Sequence, residues 1–322
     1  MKAIQFHEFG SPDVLRLEDI ATPEPQTGEV LIRVQACGVN FADTLQRKNQ
    51  YIYTPELPFT PGTEVSGTIE RLGDGVESFS VGQRVIAFTK DGGYAEYVVA
   101  PAHLTVILPE EIDFDSGAAI ITQGLTAFQM LKTLGQVQRG NSVLIHAAAG
   151  GVGSLAVQIA KILGANHIVA TAGSAEKLEF AKSSGADSVV NYRDADWSVQ
   201  VMHATDGKGV DVILEAVGGD IFQKSLGCLT SFGKLIVYGR SSGSTVFDPI
   251  ILLDKTLSVV GFSLYNFLEN PLYTDSLNEL FGYIKQGHLK MQIGGIYPLA
   301  EATKVHELIE SRSTQGKLII KP

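Results

Sequence analysis

A glycine-rich turn at residues 148–153, Ala-Ala-Gly-Gly-Val-Gly, is the segment whose residue types and spacing most clearly indicate chemistry. An apolar run typical of buried parallel strands precedes it, and apolar residues at helical spacing follow it. In such a strand–turn–helix unit, backbone N–H groups and the positive end of the helix dipole can bind a phosphate group. Glycines permit close approach of a pyrophosphate and tight packing of helix on strand. We predict that the turn binds a dinucleotide through Gly150, Gly151, Val152 and Gly153.

The residues after the next predicted strand indicate which dinucleotide binds. A fold that prefers NAD usually places an acidic side chain about twenty residues past the glycine turn. Here that strand ends in Gly173 and Ser174, without an acid, and Lys177 follows one turn into the next helix. A hydroxyl and an ammonium would bind the 2′-phosphate that a carboxylate repels, and Tyr192 could close the same pocket. These residues favour NADPH; the alternative is that Ser174 only caps its helix and Lys177 is a solvated surface charge.

The composition is ordinary for a soluble globular enzyme of two domains. The 322 residues are 44% hydrophobic and 19% charged, and no apolar run approaches the roughly 18 residues of a membrane span. The first residues lack the apolar core of a signal peptide, and two cysteines are too few for a disulfide framework. We therefore expect a cytoplasmic protein. A net charge of −10 argues against nucleic acid as a partner.

The pattern of β-forming and helical segments predicts an α/β protein with two parts. Residues 1 to about 120 carry short β-forming stretches between turns, which indicates a β-rich, partly closed barrel. After them strands and helices alternate, which predicts a doubly wound parallel sheet. Its six predicted strands are Ser142–His146, Ile168–Ala172, Ser188–Asn191, Val210–Ala216, Lys234–Tyr238 and Thr256–Phe262. Helices and a short closing strand follow, and this tail is expected to return to the first domain.

Several segments together resemble the quinone oxidoreductase (zeta-crystallin-like) family of the medium-chain dehydrogenase/reductase superfamily. They are HAAAGGVGSLAVQIAK, QGLTAFQML, GVNFADTLQRKNQY and PGTEVSG, and the resemblance continues to the closing GKLIIKP. It implies a GroES-like domain formed by residues 1–122 and 266–322, and a Rossmann NADP(H)-binding domain formed by residues 123–265. It also implies that a cleft between the two domains holds NADPH.

The resemblance also implies that no zinc takes part in the reaction. Zinc-dependent alcohol dehydrogenases of the superfamily carry a cysteine where this chain has Asn40 and a histidine where it has Thr63. A catalytic zinc needs three protein ligands, which these residues cannot supply, and Cys37 is expected to be a small buried hydrophobe. Without a Lewis acid, hydride delivery to an already electrophilic carbon remains feasible. The activity implied is zinc-independent, NADPH-dependent reduction of quinones.

Three residues are carried over from the family as candidates for direct roles in the reaction. Asn40 matches a position facing the nicotinamide, where its amide could orient the carboxamide or the substrate oxygen. Tyr51 could hydrogen-bond the substrate oxygen or donate a proton, or it could be only an aromatic wall residue. Thr126 matches a residue beneath the nicotinamide. Asp43 and Arg47, spaced i and i+4, are interpreted as a structural ion pair.

Further positions are expected to contact the cofactor because they follow strands at the carboxyl edge of the sheet. They are Val217 and Gly218 after the fourth strand, Gly239 and Arg240 after the fifth, and Phe262 and Leu264 after the sixth. Lys317 matches a basic or polar family position near the cofactor. His146, at the end of the first strand of the parallel sheet, is interpreted as a packed core histidine.

Two other functions stay open at the level of sequence. A 2-enoyl or 2-alkenal reductase would use the same hydride geometry on an enone C=C bond. A binding protein of the crystallin or RNA-binding type would keep the nucleotide and little activity. The last strands of the parallel sheet, KLIVYG and TLSVVGF, form an apolar edge. Because unpaired edges are usually covered, we expect a homodimer that pairs through this edge.

Overall fold

The computed structural model describes all 322 residues, and the chain divides into two compact units. The first unit contains residues 1–122, 277–285 and 291–322, and the second contains residues 123–276 and 286–290. None of the helices is long and apolar enough to cross a membrane.

Strands and helices are numbered here in chain order. The strands are β1 (Lys2–Gln5), β2 (Arg16–Asp19), β3 (Glu29–Val39), β4 (Glu64–Leu72), β5 (Arg84–Phe88), β6 (Tyr97–Pro101), β7 (Thr105–Ile107), β8 (Ser142–Ile145), β9 (His167–Ala172), β10 (Ser188–Asn191), β11 (Val210–Glu215), β12 (Leu229–Val237), β13 (Ser258–Gly261), β14 (Ile293–Pro298) and β15 (Lys317–Lys321). The helices are α1 (Phe41–Arg47), α2 (Phe114–Gly117), α3 (Thr126–Phe128), α4 (Gly151–Ile162), α5 (Ala175–Ser183), α6 (Trp197–Ala204), α7 (Gly219–Gly227), α8 (Tyr265–Leu268), α9 (Leu272–Lys285) and α10 (Ala302–Glu310). Two π-helical segments, Ile120–Leu125 and Gln129–Leu134, flank α3.

The first unit is built around the long strand β3. This strand pairs with β4, β6 and β15, and the sheet order is β14-β15-β3-β4-β5-β7. All of its pairings are antiparallel except that of β14 with β15, and β1 pairs with β2 in a separate ribbon. Most β3 side chains are buried, among them Val30, Ile32 and Val34 in the main core cluster. The predicted β-rich first domain is confirmed.

The second unit contains a six-stranded sheet of order β10-β9-β8-β11-β12-β13, in which every pairing is parallel. The strand order reverses between β8 and β11, so a switch point lies beside the glycine turn that follows β8. In such sheets ligands bind outside the carboxyl ends of the strands at this point. The predicted doubly wound parallel sheet of six strands is confirmed.

Several strand boundaries differ from those predicted from the sequence, most of them by one residue. Strand β12 begins at Leu229, five residues before the predicted start at Lys234. Strand β13 begins only at Ser258, because Thr256 has a φ of 54° and so cannot continue an extended strand. Residues 266–276 group with the second unit, where the Gln129 amide donates a hydrogen bond of 2.8 Å to the Ser276 hydroxyl.

Candidate active site

The glycine turn joins β8 to α4, whose first residue is Gly151 and whose N-cap is Gly150. Ser154 makes the first backbone bond of the helix, to the Gly150 carbonyl, so the three N–H groups before it have no partner within the helix. A Cβ on Gly153 would lie 2.5 Å from the Ala147 carbonyl oxygen. Only a glycine at this position lets the helix pack so closely on the turn. The arrangement presents unpaired N–H groups at a helix N-terminus, which favours an anion.

The residues expected to bind a 2′-phosphate lie together after β9 and β10. The Ser174 hydroxyl accepts a hydrogen bond of 3.4 Å from the Lys177 backbone and caps α5. A Cβ on Gly173 would lie 3.0 Å from the Arg193 Nε and 3.2 Å from the Tyr192 hydroxyl. Arg193 was missed by sequence reasoning, although a basic residue directly after Tyr192 was the available signal. One hydroxyl, one phenol and the Arg193 side chain therefore lie near the end of β9, and Lys177 lies in the first turn of α5.

A loop at the carboxyl ends of β11 and β12 is held by a buried carboxylate. Glu215 accepts hydrogen bonds from the backbone N–H groups of Val217, at 2.6 Å, and Gly218, at 3.0 Å. Burial raises the pKa of the Glu215 carboxyl above its usual value. Four of the predicted cofactor residues line one cavity of about 470 Å³ here, namely Gly218, Gly239, Arg240 and Phe262. Val217 and Leu264 are buried beside these positions in the chain.

Thr126 lies before the glycine turn in a helix of irregular geometry. Thr126 begins α3 between the two π-helical segments and is 6% exposed. Such π-helical segments are often found at functional sites because they alter the helical register.

The His146 imidazole is fully buried and hydrogen-bonds the hydroxyls of Thr171 and Ser225, at 2.7 and 2.8 Å. The interpretation of His146 as a packed core histidine is confirmed.

In the first unit Asn40 belongs to a buried polar cluster with Glu64 and Lys317. The Asn40 amide nitrogen donates to the Glu64 carboxylate at 3.0 Å, and its oxygen accepts from the Lys317 ammonium at 2.8 Å. Lys317 and Glu64 form an ion pair with exposed side-chain fractions of 0% and 1%. Glu64 also accepts from the Thr122 backbone N–H at 2.8 Å. Both ends of the Asn40 amide are thus already engaged, which leaves one oxygen lone pair for any ligand.

The predicted ion pair between Asp43 and Arg47 is wrong, because each side chain has other partners. The Arg47 guanidinium donates to the Gly10 carbonyl and to His306, and pairs with the Glu310 carboxylate. Asp43 instead accepts from the Asn40 backbone at 2.9 Å and from a tyrosine hydroxyl. Both side chains are fully buried, so their role is structural, as expected, but through separate contacts.

A buried hydrogen-bonded chain links these two residues through Tyr94 and His306. Because a guanidinium only donates, the His306 Nδ1, at 3.1 Å from Arg47, must accept, and its Nε2 carries the proton. That Nε2–H donates to the Tyr94 hydroxyl at 3.1 Å, which donates to Asp43 at 3.0 Å. Burial and the Arg47 charge lower the pKa of His306 to about 3, and burial raises the pKa of Asp43 to about 6.

His306→Gln is expected to remove one contribution to the acid sensitivity of stability, since glutamine can keep both hydrogen bonds and cannot titrate. Folded His306 stays neutral down to about pH 3, whereas the unfolded residue is protonated below about 6.5. Stability is therefore lost as pH falls through this window, and the slope should drop by about 1.4 kcal/mol per pH unit in the variant. The Asp43 carboxyl contributes to the pH dependence of stability with the opposite sign, because its pKa is raised in the folded protein. Wild type and the His306→Gln variant both retain that contribution. Urea unfolding between pH 6 and pH 4 measures the slope; parallel curves would contradict the assignment.

Two phenols lie beside α1. The ring of Tyr51 meets that of Tyr53 edge-on, with centroids 5.3 Å apart. The buried Gln46 amide donates a hydrogen bond of 2.6 Å to the Tyr53 hydroxyl. Because the Tyr53 oxygen accepts this bond, its own proton must point away from the Gln46 nitrogen. Tyr51, the predicted substrate contact, therefore has a second phenol fixed next to it.

Comparison with known proteins gives a consistent result along the whole chain. The alcohol dehydrogenase GroES-like domain family matches residues 26–110, and the zinc-binding dehydrogenase family matches residues 151–280. A quinone oxidoreductase from Rattus norvegicus is 39% identical over 323 residues, which cover 99% of this chain and 97% of the relative.

Solved structures are similar over the same length. The crystal structure of an Escherichia coli quinone oxidoreductase complexed with NADPH has a TM-score of 0.95 and 36% identity, and each chain is covered completely. A structure of 2-haloacrylate reductase has a TM-score of 0.88 and 32% identity, with 100% of this chain and 99% of the other covered. The chain therefore belongs to the quinone oxidoreductase family of the medium-chain dehydrogenase/reductase superfamily.

Proposed function

We propose that this protein is an oxidoreductase that transfers a hydride from NADPH to a quinone. The observation that carries the proposal is the full-length similarity to a quinone oxidoreductase solved with NADPH. The glycine turn and the cationic side chains after β9 and β10 are the parts of this chain that suit that cofactor. Bound NADPH supplies the hydride. The protein's own residues bind and orient the cofactor and the quinone and supply hydrogen bonds to them.

The second unit has the groups that NADPH requires. The unpaired N–H groups at the start of α4 suit a pyrophosphate, and Lys177 and Arg193 suit the 2′-phosphate. The cavity lined by Gly218, Gly239 and Phe262 suits the uncharged half of the cofactor, since its walls are largely apolar. These features support the assignment of cofactor binding to this unit.

We propose further that no zinc takes part in the reaction. The residues at the zinc-ligand positions of related enzymes, Asn40 and Thr63, offer no imidazole or thiolate, and the Glu64 carboxylate is paired with the Lys317 ammonium. Burial, together with the nearby Asp43 and Glu64 charges, raises the pKa of Cys37 well above its usual value. Cys37 therefore stays a thiol, which is a poor metal ligand.

A quinone needs a hydrogen-bond donor for the oxygen on which negative charge develops when the hydride arrives. We assign this role to the Tyr51 hydroxyl, with Tyr53 beside it as a second phenol. A phenol can donate a hydrogen bond to that oxygen and then transfer a proton to it. The Gln46 amide holds Tyr53 in place, and the edge-on ring contact holds Tyr51 against Tyr53.

The test is steady-state NADPH oxidation by purified, EDTA-treated protein. We expect turnover with 1,4-benzoquinone and 9,10-phenanthrenequinone and a clear preference for NADPH over NADH. The preference should fall in Lys177→Ala and Arg193→Ala, whereas Lys208→Ala, at an exposed lysine just before the amino end of β11, serves as the matched control. Activity that EDTA abolishes and zinc restores would contradict the zinc-free proposal, and NADPH binding without any turnover would favour a binding protein.

Reduction of a C=C bond conjugated to a carbonyl group is the second candidate function. The similarity to 2-haloacrylate reductase favours it, because that name describes a substrate whose C=C bond is conjugated to a carboxyl group. The same panel decides between the two candidates when 2-alkenals and 1-octen-3-one are included. Turnover of these enones without turnover of quinones would replace the first proposal and leave the cofactor assignment unchanged.

We propose a homodimer that forms through the edge of the parallel sheet. Strand β13 pairs with β12 on one side and has no strand on the other. Large apolar side chains are exposed in the segments that precede it, among them Phe232, Val246, Ile250 and Leu253. Such surface is usually covered by a partner, and a second copy can continue the sheet across a two-fold axis. Sedimentation equilibrium at micromolar concentration should give a dimer, and a monomer would contradict this.

A cytoplasmic location is consistent with the chemistry of the two cysteines. Cys37 and Cys228 are both buried free thiols. Proteins that fold in reducing compartments keep their thiols unpaired. We propose this location, and cell fractionation with an antibody to the protein would test it.

A further inference from the structure

The Gln123 side chain lies against Gly151, the first residue of α4. A Cβ built on Gly151 would overlap the Cδ, Nε2 and Oε1 atoms of Gln123. The carboxamide therefore occupies the space that an alanine side chain would need. By comparison, a Cβ on Gly150 would meet one atom, the Ala147 carbonyl oxygen at 3.3 Å. Of these two neighbouring glycines, Gly151 is the one at which an alanine would displace a side chain, the Gln123 carboxamide.

The Gln123 carboxamide is buried yet has no hydrogen-bond partner in the protein. The residue is 8% exposed, and neither its oxygen nor its nitrogen is hydrogen-bonded to another protein group. Buried amides are almost always paired, because an unpaired one loses its hydrogen bonds to water without replacement. The Gln123 polar atoms are not among the fully enclosed unpaired atoms of the protein, so this amide keeps a small accessible surface through which it can bind a ligand.

The position of the carboxamide indicates what that ligand is. It lies at the N-terminus of a twelve-residue helix, beside the backbone N–H groups of Gly151, Val152 and Gly153, which have no partner within the helix. The Nε2 group adds two further donors to this set. Donors that converge at the positive end of a helix dipole are suited to an anionic oxygen of a phosphate or pyrophosphate.

We propose that Gln123 is a cofactor-binding residue whose carboxamide donates a hydrogen bond to a pyrophosphate oxygen of the dinucleotide. A consequence is that an alanine at position 151 would displace the Gln123 carboxamide from this position. The inference rests on the proposed use of NADPH. It adds a side-chain donor to a site otherwise formed by backbone groups, and it assigns Gly151 a packing role outside the A-x-G-x-x-G pattern.

The test compares wild type, Gln123→Ala, Gly151→Ala and the double variant. Two quantities are measured without turnover: the NADPH dissociation constant by calorimetry, and the melting temperature without ligand. Gln123→Ala should weaken NADPH binding by about tenfold, the loss expected for one hydrogen bond to a charged group. Gly151→Ala alone should lower the melting temperature, and adding Gln123→Ala should restore most of it, since the overlap disappears.

Two further arms separate contact with the pyrophosphate from a general effect on structure. Adenosine 2′-monophosphate has the 2′-phosphate but neither a 5′-phosphate nor a pyrophosphate, so its binding should be equal in wild type and Gln123→Ala. Gln123→Glu should bind NADPH more weakly than Gln123→Ala, because it places a negative charge beside the phosphates.

Distinct outcomes overturn the different proposals. Wild-type affinity for NADPH in Gln123→Ala would overturn the assigned contact, and so would equal loss of both ligands in that variant. A melting-temperature loss from Gly151→Ala that is unchanged in the Gln123→Ala background would overturn the packing role. Failure of wild type itself to bind NADPH would overturn the proposed function together with this inference.

Discussion

Lys317→Met is expected to destabilise the protein by about 3–5 kcal/mol, because it leaves the Glu64 carboxylate buried without its opposite charge. The ammonium and the carboxylate are almost fully excluded from water, and no solvent can replace the lost partner. The Asn40 amide and the Thr122 backbone N–H would remain, but neither carries a positive charge. Urea unfolding at constant pH, followed by circular dichroism, measures the difference in free energy of unfolding.

Two controls separate the loss of charge pairing from the loss of a lysine side chain. Lys317→Met combined with Glu64→Gln removes both charges and should recover much of the stability. Lys304→Met breaks the ion pair with Glu301, in which both side chains are well exposed, and should change stability little because solvent screens that pair. A Lys317→Met protein that unfolds at the same urea concentration as wild type would show that the buried pair contributes no net stability.

Gly153→Ala is expected to destabilise the unliganded protein by about 1–3 kcal/mol and to weaken NADPH binding strongly. The new Cβ would lie 2.5 Å from the Ala147 carbonyl oxygen and 2.7 Å from the Ala148 Cα, and both are backbone atoms. Backbone cannot move aside as a side chain can, so helix α4 would have to shift from β8. That shift would displace the N–H groups that suit the pyrophosphate.

Gly150→Ala is the matched control for this prediction. Its Cβ would meet only the Ala147 carbonyl oxygen, at 3.3 Å, and Gly150 has an ordinary extended φ of −76°. Its melting temperature should therefore stay near that of wild type. Equal destabilisation by the two substitutions would mean that close packing of helix on turn is not what Gly153 provides.

The fold could be predicted because its signals are local. The strand–turn–helix pattern around Gly153 and the alternation of strands and helices depend on residues close together in the chain, so the six-stranded parallel sheet followed from them. Local pattern was less reliable at strand ends. The positive φ at Thr256, which delays β13, has no signature in its residue type.

The contacts that complete the site join distant residues, and spacing alone does not show them. Lys317 and Glu64 are 253 positions apart, so their ion pair depends on β15 lying beside β3. The i, i+4 rule suggested a partner for Arg47 on its own helix, but its partners lie on α10 and in the loop between β1 and β2. Likewise, the overlap with Gln123 is visible only once α4 is folded.

The most direct test of hydride transfer from NADPH to a quinone is a single-turnover measurement. EDTA-treated protein is loaded with one equivalent of NADPH, mixed with excess 1,4-benzoquinone in a stopped-flow instrument, and followed through the reduced nicotinamide absorbance. We predict rapid loss of this absorbance, slower when one of the two C4 hydrogens of NADPH is deuterium and unchanged when the other is. Absorbance that persists with the quinone, or that decays at one rate with all three forms of NADPH, would contradict hydride transfer as the step this protein catalyses.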